Sequence, residues 1–166
     1  MQKFFAGILL LIISLTVSAQ QDSIHLPPYK RFPTVPPFRL LQADSASFFT
    51  KADLKKNRAV LFIIFSPECD HCRHETEEII KHIDDFKKIE IVMATTWPLG
   101  MMKDFCIQYD LKRFDNITAG QDFNNMLPSF YSIRNMPFLA FYDKKGKLID
   151  TFEGSLTVEK ILAKFE

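Results

Sequence analysis

Cys69 and Cys72 stand two residues apart in "SPECDHCRHETEE" (66–78), with Asp70 and His71 between them and Glu75 three residues past the second thiol. Such a pair suits a metal clip, a structural disulfide, or a disulfide that opens and closes. A thiol attacks or ligates only as thiolate, and the first turn of a helix stabilises that anion through unpaired N–H groups and the macrodipole. With a helix starting at Cys69, Cys69 is the expected nucleophile. Cys72, a turn deeper, is the expected resolving thiol, attacking a mixed disulfide and closing a Cys69–Cys72 bond. His71 can lend positive charge or a hydrogen bond to the Cys69 thiolate, whereas Glu68 and Asp70 oppose it, so the sequence leaves the balance open. Glu75 lies one turn beyond Cys72, where it can exchange a proton with that thiol or simply complement the helix dipole.

The flanking pattern supplies elements to hold the pair. "AVLFIIF" (59–65) is a continuous run of β-formers, the pattern of a strand buried on both faces. From Cys69 the spacing becomes helical, with Cys72, Thr76, Ile79, Ile80, Ile83 and Phe86 on one face. "IEIVMATT" (89–96) reads as a second buried strand and 98–111 as a second helix, with Pro98 in its first turn. Strand, helix, strand implies a right-handed crossover and parallel pairing. Beyond it the sequence predicts a short strand near Ile117, a helix over about 123–133 that contains Pro128, a hairpin over 137–154 turning at Gly146, and an amphipathic tail helix. Residues 38–56 read as two short strands across a turn near Asp44, then a turn of helix. The expected fold class is α/β, a mixed central sheet flanked by helices.

Composition narrows the function classes. With 21 Lys and Arg against 20 Asp and Glu, a formal charge of +1 and no long basic run, neither a nucleic-acid partner nor a polybasic membrane patch is expected. The opening "MQKFFAGILLLIISLTVSAQ" has a lysine, an apolar run and small residues before Ala19, the pattern of a signal peptide over 1–19. Its apolar run is shorter than the roughly 20 residues of a spanning helix, although an uncleaved anchor is the competing reading. The expectation is a periplasmic or secreted protein, where disulfides persist. Residues 20–37 carry five prolines, at 27, 28, 33, 36 and 37, and read as an extended arm over a domain at 38–166.

A buried strand, C-x-x-C opening a helix, and much later a proline leading a hairpin in "NMPFLAFYDKKGKLI" resemble the thioredoxin superfamily. The signal peptide, the N-terminal hairpin, the Glu75 position and the distance from Cys72 to Pro137 are similar to the exported TlpA/ResA-like thiol-disulfide oxidoreductases. The resemblance implies a thioredoxin-like fold with an N-terminal β-hairpin extension, and exchange of disulfides with protein clients, as a reductase. It implies a membrane redox partner, a monomer and no cofactor. It also implies a cis bond before Pro137, with Met136, Pro137 and Pro67 lining the client groove; the seventeen phenylalanines are expected mostly in the core, with Phe65 and Phe138, near the two ends of the site, also placed to frame that groove. Departures are Glu68 where the family commonly has tryptophan, and Ile63 where thioredoxin has a buried aspartate. The His71 position also resembles disulfide isomerases and DsbA-type oxidants.

Rival readings remain. Cys69 and Cys72 with His71, His74 or His82 offer three metal ligands, but structural zinc wants a fourth. A peroxiredoxin needs a proline where Phe62 stands. A purely structural disulfide in an interaction domain closes so short a loop that it would stabilise little. Cys106, sharing a helix face with Met102, Phe105 and Tyr109, is expected to be an inert, packed thiol.

Overall fold

The structure is a computed structural model and describes residues 26–166. The expected signal peptide (1–19) and residues 20–25 of the arm lie outside the described residues. Among the described residues the strands and α-helices are, in order, α1 (Pro28–Arg31), β1 (Arg39–Leu41), β2 (Phe48–Thr50), β3 (Ala59–Ile64), α2 (Asp70–Lys81), β4 (Ile89–Thr95), α3 (Leu99–Gln108), β5 (Ile117–Gln121), α4 (Met126–Tyr131), β6 (Phe138–Tyr142), β7 (Leu148–Glu153) and α5 (Val158–Leu162).

The strands form one sheet in the order β2-β1-β5-β4-β3-β6-β7. Its centre is parallel (β5, β4, β3), and antiparallel pairs close both sides (β1–β2 and β6–β7). Every residue of β3 and β4 is buried; β3 is an uninterrupted apolar run, and in β4 the one buried charge, Glu90, accepts the Lys55 N–H at 2.7 Å. Alternation along β3 then splits the core in two. Leu61, Ile63 and Phe65 pack with Ile79, Phe86, Phe105 and Ile161 on the face covered by α2, α3 and α5. Val60, Phe62 and Ile64 pack with Phe38, Leu127 and Tyr131 on the other.

The arm is a correction to the sequence expectation: it is not extended throughout. Pro28–Arg31 forms a single helical turn, with proline at its first position, where a missing N–H leaves no bond unmade. The chain then passes beside the turn before β7 and that strand's first residue. Val35 N–H donates to the Gly146 carbonyl (2.9 Å), and Leu148 N–H donates to the Pro33 carbonyl (2.9 Å). Val35 is buried, so this part of the arm belongs to the domain.

The helix expected over 123–133 is shorter, Met126–Tyr131. Asp122 sets its start, because its buried carboxylate accepts the Leu127 N–H at 2.7 Å. Pro128 therefore falls in the first turn, where its lack of a donor costs no helical bond. β1 reaches the parallel sheet through one pair, Leu41 with Gln121. That approach requires Gly120, since a Cβ there would lie 2.7 Å from the Leu40 Cβ.

Candidate active site

Four segments meet at one end of the sheet, where the parallel strands finish. Residues 65–69 follow β3, residues 96–98 follow β4, Gln121 ends β5, and Met136–Pro137 enters β6, whose Phe138 pairs with Ile64. In open parallel sheets this end forms the crevice in which ligands sit.

Cys69 is the N-cap of α2, with extended backbone (φ −84°, ψ 117°), and its sulfur accepts the Cys72 N–H at 3.3 Å. A twelve-residue helix thus directs an unpaired donor and its positive end at that sulfur. On the opposite side Cys69 Sγ faces the Met136 carbonyl at 3.7 Å. The Met136–Pro137 bond is cis. Cys69 is half-buried and Cys72 only 1% exposed, and both are free thiols.

Burial pushes the Cys72 thiol up to about 12, with its contact to Cys69 and the nearby Glu75 carboxylate adding to the rise and the Ser66 backbone opposing it. Glu75, on the same inward face, is 2% exposed. Burial raises its carboxyl to about 7, against the Leu156 N–H and the Ser155 hydroxyl, which favour the anion. Its Oε2 accepts from Leu156 N at 3.1 Å, whereas Oε1 has no partner among the described residues. An acid that merely complemented the helix dipole would face water. A pocket of about 390 Å³ opens beside it, lined in part by His74, Glu78 and His82.

The surrounding turn is held by its own side chains. Arg73 Nε donates to the Pro67 carbonyl (2.9 Å) and its guanidinium pairs with Asp70 (3.1 Å). His71 stands apart from the expectation drawn for it: the residue is exposed, and no hydrogen bond joins its ring to Cys69. Phe65 and Phe138 are also corrected. Both are fully packed, against Phe105 and Tyr131, and do not face a groove. Among the described residues no cluster of three His, Cys, Asp or Glu side chains has ligand geometry. Cys106 lies half-buried, its sulfur 3.4 Å from Met102 Sδ, and burial lifts its thiol to about 11.

No family model matches the chain, and no curated protein matches it. Solved structures do. StoA from Bacillus subtilis aligns over 81% of this chain and 100% of its own, with a TM-score of 0.62 at 18% identity. A secreted Mycobacterium tuberculosis disulfide oxidoreductase homologous to Escherichia coli DsbE covers 77% and 93%, with a TM-score of 0.64 at 18% identity. DsbF from MTB, in mixed oxidised and reduced forms, covers 79% and 96%, with a TM-score of 0.66 at 19% identity. The fold is thioredoxin-like.

Within this thioredoxin-like fold the sequence reading missed the chain's one tryptophan. Trp97, in the turn after β4, donates its indole N–H to Glu68 Oε2 at 3.3 Å. Its N–H donates to Thr95 Oγ1 (3.2 Å), and its carbonyl accepts from Gln121 Nε2 (3.0 Å). A signal was available: a residue just past a parallel strand borders the crevice wherever the neighbouring strand ends in the site.

Proposed function

We propose that this protein is an exported thiol-disulfide oxidoreductase that reduces disulfides of protein clients. The observation carrying the reading is the stacked arrangement at the start of α2: a half-exposed Cys69 at the N-cap, a buried Cys72 thiol beneath it, and a buried carboxyl one turn further on. The Cys69 thiolate attacks one client sulfur. A Cys69–client S–S bond forms, and the client's second sulfur leaves as a thiolate that takes up a proton. Cys72 then gives its proton to the Glu75 carboxylate and attacks Cys69 Sγ, closing Cys69–Cys72 and releasing the first client sulfur as a thiolate that takes up the second proton, while Glu75 returns its proton to solvent. The client gains two electrons and two protons, and the protein dithiol becomes a disulfide. A dithiol donor, expected at a membrane, returns the two electrons.

Met136, Pro137 and Pro67 are assigned to the client groove, because the Met136 carbonyl stands beside Cys69 where a client amide can donate to it. Two observations support the reducing direction. The His71 ring does not bond to Cys69, and the residue preceding Cys69 is an anionic glutamate. The test is Cys72→Ser: it should accumulate client mixed disulfides through Cys69, and a variant that traps none would remove the assignment. Equilibration of the pair with glutathione then reads the direction, with about −270 mV expected and about −120 mV indicating an oxidant.

A further inference from the structure

Three charged groups, Glu68, Asp70 and Arg73, lie close to Cys69 in sequence, and the structure distinguishes between them. Asp70 is 93% exposed at its side chain but paired with Arg73 at 3.1 Å, so the two charges largely cancel. Glu68 differs. Its one side-chain partner among the described residues is the Trp97 indole N–H, a neutral donor that fixes the carboxylate without neutralising it. The ring itself is held through its backbone, with Trp97 N–H on Thr95 Oγ1 and Gln121 Nε2 on the Trp97 carbonyl, so three successive strand ends contribute to placing one negative charge. Glu68 N–H is also anchored, donating to Ser66 Oγ at 3.2 Å. The result is a positioned, uncompensated carboxylate on the residue immediately before the nucleophile.

We propose that Glu68, positioned by Trp97, selects client disulfides whose reacting cysteine is flanked by a lysine or arginine. This rests on the oxidoreductase reading above and names its substrate class. An extended client crossing between the Met136 carbonyl and the β3–α2 turn must bring a side chain adjacent to its cysteine past Glu68. A cationic side chain there gains Coulomb energy in the encounter complex, and an acidic one is repelled. The indole N–H gives the exposed carboxylate one preferred orientation, so the preference depends on Trp97 even though Trp97 carries no charge. Across the groove Arg134 is exposed and two residues from Met136, so its contribution needs a control.

The experiment uses three fluorogenic disulfide peptides that differ only in having Lys, Gln or Glu beside the cysteine. The rate constant for each with reduced protein is divided by its rate with a neutral dithiol, which removes the peptide's own reactivity. The Lys peptide is expected to react about fivefold to tenfold faster than the Glu peptide at low salt. That ratio should shrink toward one in about 0.5 M salt, where the Debye length falls below about 5 Å. Glu68→Gln should bring the ratio to about one, and Trp97→Phe, which keeps an aromatic ring and loses the N–H, should lower it. A ratio of one in the native protein overturns the proposal. So does a ratio that survives Glu68→Gln, is unmoved by Trp97→Phe, or is removed by Arg134→Gln. Failure of all three peptides to react, together with failure of Cys72→Ser to trap the Gln peptide, sinks the oxidoreductase reading itself. Equal reaction of all three sinks only the charge preference.

Discussion

Glu75 Oε2 accepts the Leu156 amide hydrogen at 3.1 Å, fastening the inner face of α2 to the turn that leads into α5, while the other oxygen of the same carboxylate is buried without a partner among the described residues. The carboxyl is thus held in place and left half-satisfied, which is the condition for a group that takes up and releases a proton near neutral pH.

The resolving step should therefore follow the ionisation of Glu75. Below about pH 7 the carboxyl is protonated and cannot accept the Cys72 proton, so the rate of mixed-disulfide resolution should fall as pH drops through that value. In Glu75→Gln this limb should vanish, leaving a slower resolution that no longer breaks near neutrality. Stopped-flow resolution of a preformed Cys69 mixed disulfide between pH 5 and 9 reads the effect. A wild-type limb that persists in the variant would assign it to another group.

The same carboxyl has a stability signature of definite sign. Its folded value, about 7, lies above the reference 4.5, so between those values the unfolded chain ionises while the folded one does not. Stability is full below about pH 4.5 and declines as pH rises through 7. The loss is on the order of 3 kcal/mol. Glu75→Gln lacks this loss, so its urea midpoint relative to the native protein should rise between pH 4.5 and 8. A gap that does not change with pH contradicts the assignment.

Thiol labelling should single out one cysteine. At pH 8 a thiol held at about 11 is about one part in a thousand thiolate, and one at about 12 about one part in ten thousand. Cys106 and Cys72 should then be alkylated slowly in the reduced native protein, with Cys69, at the N-cap and half-buried, modified first. Mass spectrometry of peptides after brief iodoacetamide treatment checks the order. Rapid labelling of Cys106 would show that its packing against Met102 opens in solution.

Gly120→Ala tests how the N-terminal hairpin is attached. The new Cβ would meet Leu40 Cβ at 2.7 Å and the Leu41 carbonyl at 3.0 Å, both on a strand joined to β5 by a single residue pair. A cost of about 1–3 kcal/mol is expected, with β1 and β2 losing amide protection before the rest of the sheet. Hydrogen exchange that is uniform across all seven strands would contradict this.

Tyr131 and Tyr142 share a hydrogen bond between buried hydroxyls. Tyr142→Phe strands the Tyr131 hydroxyl and should cost about 1–3 kcal/mol, whereas the double phenylalanine variant, with no stranded group, should recover much of that loss. A double-mutant cycle in urea measures the coupling.

How much of this was legible beforehand depended on where the information lay along the chain. β3 and β4 are legible because burial on both faces fills them mostly with apolar residues, Glu90 and Thr95 apart, and the start of α2 is legible because the change from strand to helical spacing falls at Cys69. Glu75 was visible as a position but not as a buried acid, since its depth depends on the 155–158 turn closing over it from the far end of the chain. Trp97 was overlooked because its relation to Glu68 arises only when β3 and β4 end side by side. The helical turn at Pro28–Arg31 was misjudged because proline suits an extended chain and a helix's first position equally well.

The contacts of residues 33–35 beside the start of β7 also bear on how copies of this chain behave toward one another. β7 is a border strand, and its unpaired amides and carbonyls would otherwise template a neighbouring molecule. The chain occupies the first of these positions itself, through the Pro33 carbonyl and the bridge between Thr34 and Lys147. Farther along, Asp150 is paired with Lys164 at 2.6 Å, and Glu153 accepts from Asn135 Nδ2 at 3.0 Å. The proline-rich segment thereby takes the first stretch of this border out of reach of a neighbouring strand.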